Sequence, residues 1–465
     1  MSEVTTLVLV SSNVLVQGNT DPVPATIEVN LATGKIAAIH LELRNRSSYP
    51  AIPDERWINA GNLYILPGLI DPHVHLNEPG RTDWEGFDTG TRAAISGGVT
   101  TVVDMPLNSI PPTTTVENLH IKQEAALGQC WSDISFWGGL IPGNQKELPL
   151  LVGEGVRGFK AFLINSGVDE FPCASKADVG LALTSLSSTT ATVLYHAELE
   201  PDNAPQPPKG SDPTHFASFA VTHPPSFEVD AIAMVIEQHS KHPNLRGHIV
   251  HLSTAEALPL IQAAKASGAN ITVETCFHYI TFNATQIPHG HPEFKCVPPI
   301  RDEENRQRLW DALVDGTINC VVSDHSPCVA SLKRVDTDGD FVKAWGGIST
   351  LGLGLSLLWT EAQKNKTRVG IGKLLEWTAT NTAKHAGVEH RKGAIQVGFD
   401  ADLMIWDPDV EFEVTKESLV FKNKLSAYEG MKLRGRAEKV FLRGNVAFNR
   451  SSAGFTGLKP CGIFV

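Results

Sequence analysis

The first long apolar strand of the chain reads Leu66-Pro67-Gly68-Leu69-Ile70-Asp71-Pro72-His73-Val74-His75. Side chains at positions i and i+2 of a strand project to the same face, so His73 and His75 converge on one point. A second pair, His289 and His291, follows Pro288 and flanks Gly290, which predicts a surface loop. His73 and His75 are the candidate binding site of the two pairs, because they lie at the end of a strand.

Seven more apolar, β-branched runs follow the first strand, each succeeded by a segment of helical length. The eight predicted strands are Leu66–His75, Thr100–Met105, Ile134–Leu140, Val156–Phe162, Thr192–His196, His248–Leu252, Ile271–His278 and Ile318–Asp324. Nearly continuous apolar runs are typical of strands buried on both faces. We therefore predict an α/β protein with a (β/α)8 TIM-like barrel over residues 66–395.

The two ends of the chain have a different pattern from the middle. Short alternating strands separated by turn residues occupy residues 1–65 and 396–465. Neither segment is long enough to make a good core alone. We expect the two segments to pair into one small β-sandwich domain beside the barrel.

Composition excludes several classes of partner. The chain has 465 residues, 42% of them hydrophobic, and 39 Lys and Arg against 51 Asp and Glu give a net charge of −12. An acidic chain of this kind is not expected to bind nucleic acid or an anionic membrane surface. No apolar run approaches the ~20 residues of a membrane span, and no secretory signal is recognised. With seven scattered Cys and no Cys-x-x-Cys pair, these features lead us to expect a cytoplasmic protein with reduced thiols.

Four other predicted strands also end in residues that carry chemistry: Lys160, His196, His251 and Asp324. A single buried histidine is most often a satisfied core residue, and a lysine among aromatic side chains often extends to solvent. Catalytic residues of a barrel, however, come from the carboxyl ends of different strands. Imidazole and carboxylate together suit zinc or a similar divalent ion. A neutral lysine that has captured carbon dioxide as a carbamate is a carboxylate long enough to bridge two ions.

These residues and the segment from Pro67 to Phe87 resemble the amidohydrolase superfamily, and within its cyclic amidohydrolases the allantoinase family. The resemblance spans essentially the whole chain. Further matching motifs are Asp104–Asn108, Gly158–Phe162, Lys295–Arg301, Ser323–Cys328, Lys343–Ile348 and Lys392–Leu403.

The resemblance implies two divalent metal ions, most often zinc. His73, His75 and Asp324 would bind the more buried ion, and His196 and His251 the second. Lys160, as N6-carboxylysine formed with carbon dioxide, would bridge them. Asp324 would also be the catalytic residue that moves a proton. The implied substrate is a small molecule, allantoin, hydrolysed to allantoate in purine breakdown, and the implied assembly is a homotetramer.

Three residues in matching motifs are candidate substrate contacts: Asn77, Asn108 and Ser326. Dihydroorotases typically carry an arginine at the position of Asn77, where it pairs a substrate carboxylate. A neutral amide instead suits a ureido group, and all three side chains can exchange hydrogen bonds with one. Asn108 and Ser326 could alternatively cap a loop or a turn.

Other interpretations remain open at this point. A hydantoinase or dihydropyrimidinase would use the same metal ligands with a different pocket, and a non-catalytic scaffold would have the fold without stoichiometric metal. Cys296 and Cys328 could be mistaken for nucleophiles, although no Cys–His pairing is implied. Asp104 is interpreted as a residue that supports the site or a turn, and not as a ligand.

Overall fold

The computed structural model describes residues 5–364 and 369–465. The strands, in chain order, are β1 (Thr6–Val14), β2 (Val23–Asn30), β3 (Lys35–His40), β4 (Trp57–Asn59), β5 (Tyr64–Pro67), β6 (Leu69–Val74), β7 (Val99–Asp104), β8 (Asp133–Phe136), β9 (Gly138–Gly139), β10 (Gly158–Phe162), β11 (Thr192–His196), β12 (Arg246–Ile249), β13 (Ile271–Cys276), β14 (Cys320–Val322), β15 (Leu403–Glu413), β16 (Lys432–Leu442) and β17 (Asn445–Asn449).

The α-helices are α1 (Phe87–Ser96), α2 (Val116–Ala126), α3 (Leu148–Gly153), α4 (Lys176–Leu186), α5 (Phe216–Ala220), α6 (Pro225–Ser240), α7 (Leu258–Ala266), α8 (Phe277–Thr281), α9 (Glu303–Asp315), α10 (Ala330–Lys333), α11 (Gly354–Lys364), α12 (Ile371–Leu375) and α13 (Asn381–Ala386). In the part of the chain that is described, no helix combines the length and apolar character needed to cross a membrane. The seven cysteines are all free thiols.

Local sequence sets several helix ends. The Asp302 side chain accepts a hydrogen bond from the Asn305 amide at the start of α9, and Gly316 ends that helix with a φ of 85°. Ser175 and Asp178 form a reciprocal capping box at the start of α4. Such caps satisfy backbone groups that the helix itself leaves without a partner. These caps fix the residues at which the helices between successive strands begin or end.

The central strands form two parallel sheets. One has the order β6-β7-β8, and the other has the order β14-β13-β12-β11-β10-β9. β8 and β9 are separated by Trp137 alone, so the predicted strand Ile134–Leu140 is found as two pieces that pair with different neighbours. The outer edges meet through a single parallel bridge between Val74 and His325. The hydrogen-bonded ladders therefore make two open sheets and not one continuous closed sheet.

Several predicted strands end one to three residues earlier than expected, and for two of them the backbone φ angles give the reason. His251 and Asp324 lie just beyond β12 and β14, with φ angles of 39° and 43°. A positive φ takes the backbone out of the extended region, so neither residue can continue a strand. Each side chain is consequently presented from a turn at the strand end.

The remaining strands share one mixed sheet of eight strands. Its order is β17-β16-β15-β5-β1-β2-β3, and β4 pairs with β1. β15 pairs antiparallel with β5, with Leu403 opposite Pro67, so the two ends of the chain meet next to the start of β6. The strands β1, β2, β5 and β15 also contribute to one apolar cluster. β5 ends at Pro67 and β6 begins at Leu69, so this sheet leads directly into β6, the strand that carries the histidine pair.

Candidate metal centre

Six side chains singled out in the sequence come together at the carboxyl ends of the parallel strands. All are buried, and all border one cavity of about 300 Å³. The strand ends meet there because the strands run parallel in neighbouring positions. The six residues are His73, His75, Lys160, His196, His251 and Asp324.

Asp324 lies closest to the first histidine pair. Its Oδ1 atom is 3.1 Å from His73 Nε2 and 3.4 Å from His75 Nε2. The ring of His251 packs 5.5 Å from the ring of His73, and the ring of His196 lies 4.5 Å from that of His251, centroid to centroid. The imidazoles therefore form a continuous cluster.

Burial and charge shift the pKa values in opposite directions. Burial disfavours a charged imidazole, but the Asp324 and Glu274 carboxylates outweigh it and raise the pKa of His73 to about 9. Burial alone would raise the pKa of Asp324, but His73 and His75 hold it well below its usual value. Burial lowers the pKa of Lys160 to about 8, so its neutral amine is far more accessible than that of a lysine in water.

Backbone strain is concentrated at this site. Asn77, Asn108, His251 and Asp324 have φ angles of 63°, 65°, 39° and 43°. Non-glycine residues adopt this region at a cost of the order of 1–3 kcal/mol, and they persist there when the surrounding structure holds them. The strained residues include two candidate ligands and two candidate substrate contacts, which is the distribution expected of a functional site.

Two buried glutamates support the histidines, and the sequence did not reveal either role. Glu274 in β13 bonds His73 Nδ1, and its second oxygen lies 3.1 Å from His248 Nε2. Glu198 lies 2.7 Å from His196 Nε2 and 2.9 Å from His223 Nδ1. A lone acidic residue inside an apolar strand is the only sequence signal for Glu274. Its partner, 201 residues away, is not visible in a linear pattern.

The candidate substrate contacts divide into two groups. Asn108 and Ser326 border the cavity, and Asn108 Nδ2 lies 3.4 Å from His75 Nδ1. Asn77 does not border this cavity in the described chain; its amide donates to the Pro327 carbonyl at 3.3 Å.

The cavity wall also contains residues outside the predicted set. Lys295 and the residues from Lys343 to Gly347 were quoted only within motifs, and Phe219 and His223 were not singled out in the sequence at all. Cys296 also borders the cavity, but burial raises the pKa of its thiol to about 12, so it is not a thiolate nucleophile. Phe162 stacks on His196 at 4.4 Å.

Asp104 supports the site without entering it. One oxygen accepts from the Leu76 amide at 2.8 Å, next to His75, and the other accepts from the buried Lys122 ammonium at 2.6 Å. The second histidine pair lies elsewhere: His291 pairs with Glu293 at the surface.

The residues present fit a divalent metal ion. One ligand atom from each of His73, His251 and Asp324 lies within 4.8 Å of the others. His251 Nδ1 is buried without a hydrogen-bond partner in the described chain, a costly state unless something binds the ring. Imidazole and carboxylate are the donors that zinc-like ions select.

The chain is similar to known proteins over almost its full length. The family model described as "Amidohydrolase family" matches residues 64–447. An allantoinase from Saccharomyces cerevisiae is 46% identical, covering 96% of this chain and 95% of its own length, and one from Streptomyces avermitilis is 45% identical, with 94% of both chains covered. The solved L-hydantoinase from Arthrobacter aurescens is 26% identical with a TM-score of 0.85, covering 94% of this chain and 95% of its own. The chain therefore belongs to the amidohydrolase family.

Proposed function

We propose that this chain hydrolyses a cyclic amide bond of allantoin to give allantoate, a step in purine breakdown. The observation that supports the proposal best is the convergence of His73, His251 and Asp324 on one cavity of about 300 Å³. This volume lies at the lower end of the range for small-molecule sites. The allantoinases of similar length named above support the choice of substrate.

The proposed metal ligands are the six clustered residues. His73, His75 and Asp324 would hold one ion, and His196 and His251 would hold a second. Lys160, as N6-carboxylysine formed with carbon dioxide, would be a ligand of both, and its lowered pKa favours the neutral amine that this capture requires. Both ions are proposed to be zinc. When bound, such ions polarise a carbonyl and bring the pKa of water close to neutrality.

The protein's own residues handle the proton and the ring. The oxygen of water forms a bond to the ring carbonyl carbon, and the bond from that carbon to the ring nitrogen breaks. Asp324 accepts the proton of the water and delivers it to the departing nitrogen, acting first as base and then as acid. Its ionised state at neutral pH, maintained by the adjacent histidines, suits the first of these roles.

Substrate orientation is proposed to involve polar groups at the cavity wall. Asn108 and Ser326 border the cavity and can donate to or accept from a ureido group. Asn108 Oδ1 is buried without a partner in the described chain, so it is available to a ligand. Asn77 is proposed as a third substrate contact through its Oδ1 atom, which is also buried without a partner in the described chain, while its NH2 group donates to the Pro327 carbonyl.

The surrounding architecture is proposed to be a barrel with a separate small domain. The bridge from Val74 to His325 and the near-continuity of β8 and β9 favour one (β/α)8 barrel over residues 66–395. Residues 1–65 and 396–465 would form the second, β-rich domain. A homotetramer is proposed for the assembly, to be checked by light scattering of the purified protein.

A second candidate activity is hydrolysis of hydantoin or dihydropyrimidine rings. It is favoured by the TM-score of 0.85 to solved proteins of those names. The metal ligands would be the same, so only the cavity wall distinguishes the two activities. Rates on competing rings decide between them.

The experiment is an assay of allantoate formation by protein prepared with zinc and bicarbonate. Hydantoin and dihydroorotate are run alongside, and the metal content is measured on the same samples. We expect allantoin to be the preferred substrate. Turnover of a competing ring alone would agree with the proposed metal site but contradict allantoin as the substrate. No turnover by metal-loaded protein would favour a non-catalytic scaffold.

Lys160→Ala tests the bridging lysine. We expect activity to fall at least 1,000-fold, a magnitude of the order seen when nucleophile activation is lost, and bound metal to fall below two ions per chain. Lys265→Ala is the control, because Lys265 is also partly buried but bonds Thr317 and Asn319 away from the cavity. Full activity in Lys160→Ala would contradict the proposed bridge.

A further inference from the structure

Two buried lysines hold one wall of the cavity, and Lys295 also borders the cavity itself. Lys295 and Lys333 are 7% and 4% exposed, and neither forms an ion pair with a carboxylate of the described chain. Burying an ammonium is costly unless hydrogen bonds replace the lost water. Each of these lysines therefore depends on the groups that its ammonium contacts, and for Lys295 these include the Phe219 ring, whose centroid lies 4.6 Å from Nζ.

Both ammonium groups donate to backbone carbonyls of the same short segment, Val342–Gly347. Lys295 Nζ donates to the carbonyls of Val342 and Ala344 at 2.9 and 2.7 Å. Lys333 Nζ donates to the carbonyl of Trp345 at 2.9 Å and also to that of Gly347. Four of the six carbonyls in the segment are thus held by lysines. Among the described residues, no backbone amide donates to any of the four.

The segment is also tied through its own amides. The Gly347 amide donates to the Lys295 carbonyl at 2.8 Å, and Lys333 Nζ reaches that same carbonyl at 3.3 Å. The Trp345 amide donates to the Leu332 carbonyl at 2.9 Å. The segment belongs to no helix or strand. These hydrogen bonds therefore fix its backbone as the hydrogen bonds to a neighbouring strand would fix a β-strand.

The segment forms part of the cavity wall. Its residues from Lys343 to Gly347 border the same cavity as the candidate ligands. A Cβ atom on Gly347 would lie 2.2 Å from the Ser326 carbonyl oxygen, so the segment approaches the Asp324–Ser326 turn as closely as a backbone can. Trp345 packs edge-on against Trp84, with the ring centroids 5.0 Å apart. Small displacements of this wall therefore change the shape of the cavity.

We propose that Lys295 and Lys333 are positioning residues that hold the segment Val342–Gly347 as the wall by which the cavity selects its ring substrate. The proposal rests on the proposed function, in that it takes this cavity as the substrate site. The lysines contact the wall and not the reacting atoms, so they act through its placement. Misplacement of substrate by about 1 Å can cost about 100-fold in rate.

The first test is hydrogen exchange on the wild-type protein and on Lys333→Met, which retains the length of the side chain and loses its donors. In the wild type we expect slow exchange at the Trp345 and Gly347 amides despite their place in a loop. In Lys333→Met we expect the peptide that covers 342–347 to exchange about 10-fold faster or more. Lys265→Met is the matched control, because its ammonium also bonds a backbone carbonyl, at Thr317, remote from the cavity.

The second test separates positioning from general destabilisation by kinetics. In Lys333→Met we expect kcat/KM for allantoin to fall by about 10- to 100-fold, mainly through a rise in KM. We also expect the ratio of kcat/KM for allantoin to kcat/KM for hydantoin to decrease. Bound metal should remain at the wild-type level. Lys295→Met is expected to give the same pattern, and it replaces Lys333→Met if the latter does not fold.

Fast exchange at 342–347 in the wild type overturns the proposal without any variant. Unchanged exchange in the variants, or a loss confined to kcat with KM and substrate preference intact, also overturns it. Exchange does not depend on turnover. If the wild type fails to hydrolyse allantoin, the proposed function fails, while exchange still decides whether the lysines hold the wall.

Discussion

Glu274 is the residue on which two buried histidines depend. It is fully buried, and its two oxygens bond His73 and His248. Burial alone would raise the pKa of Glu274, but the two histidines hold it well below its usual value. A carboxylate behind a histidine fixes the tautomer and ring orientation that a metal ion requires. The orientation of His73 is thus set by a residue from a strand 201 positions further along the chain.

Glu274→Gln is expected to lower metal affinity by about 10- to 100-fold, because the amide cannot supply the same charge to His73. Competition with a metal indicator measures this directly. Glu228→Gln is the control, since Glu228 is equally buried and accepts from the Ser253 amide at 2.9 Å without contacting a proposed ligand. Equal metal affinity in the Glu274 variant and the wild type would contradict the supporting role.

At the scale of elements, α6 packs on β11 through a buried polar contact. The Tyr195 hydroxyl and His239 Nε2 are 3.0 Å apart, and His239 Nδ1 lies 3.2 Å from the Leu245 carbonyl. Burial lowers the pKa of His239 to about 4, against an ordinary value near 6.5. The folded protein therefore holds this imidazole neutral, while the unfolded chain binds a proton below pH 6.5.

Because the unfolded state binds more protons between pH 6.5 and 4, the His239 contribution to stability is present in full above that window. It is lost as the pH falls through it. From pH 7 to pH 5 the loss attributable to His239 is of the order of 2 kcal/mol. Urea unfolding at both pH values should show a smaller loss in His239→Gln, which can still accept from Tyr195. An identical pH dependence in both proteins would refute this assignment.

For the whole molecule, Lys392 joins the two ends of the chain to the central strands. Its ammonium lies 2.7 Å from Asp133 in β8 and 2.5 Å from Asp402, next to β15. All three side chains are buried. Burial alone would lower the pKa of Lys392, but Asp402 and Asp133 outweigh it and raise it above its ordinary value. The cluster connects residues 259 positions apart.

Lys392→Met is expected to destabilise the fold by about 3–5 kcal/mol, because it leaves the buried Asp402 carboxylate without a cation and leaves Asp133 paired with Arg443 alone. Lys35→Met is the control. Lys35 bonds Asp400 at 2.9 Å, but its side chain is 42% exposed, so its loss should cost no more than about 1 kcal/mol. Thermal unfolding of the two variants beside the wild type compares these effects. Equal unfolding temperatures of the two variants would contradict the proposed contribution of the Lys392 cluster to stability.

The amino-acid sequence was sufficient to predict most strand segments and the residues that carry chemistry at their ends. Apolar runs and capping residues are local signals, because burial and helix termination act on neighbouring positions. The histidine pair of β6 could be recognised because a strand places alternate residues on one face.

The contacts of those residues depend on the tertiary structure. The left-handed turns at His251 and Asp324, the division of one predicted strand around Trp137, and the withdrawal of Asn77 from the cavity depend on distant neighbours. Glu274 and the lysines behind Val342–Gly347 act on partners that no periodicity connects to them. Packing determines such contacts because a buried polar group must find its partner wherever the fold brings one within hydrogen-bond distance.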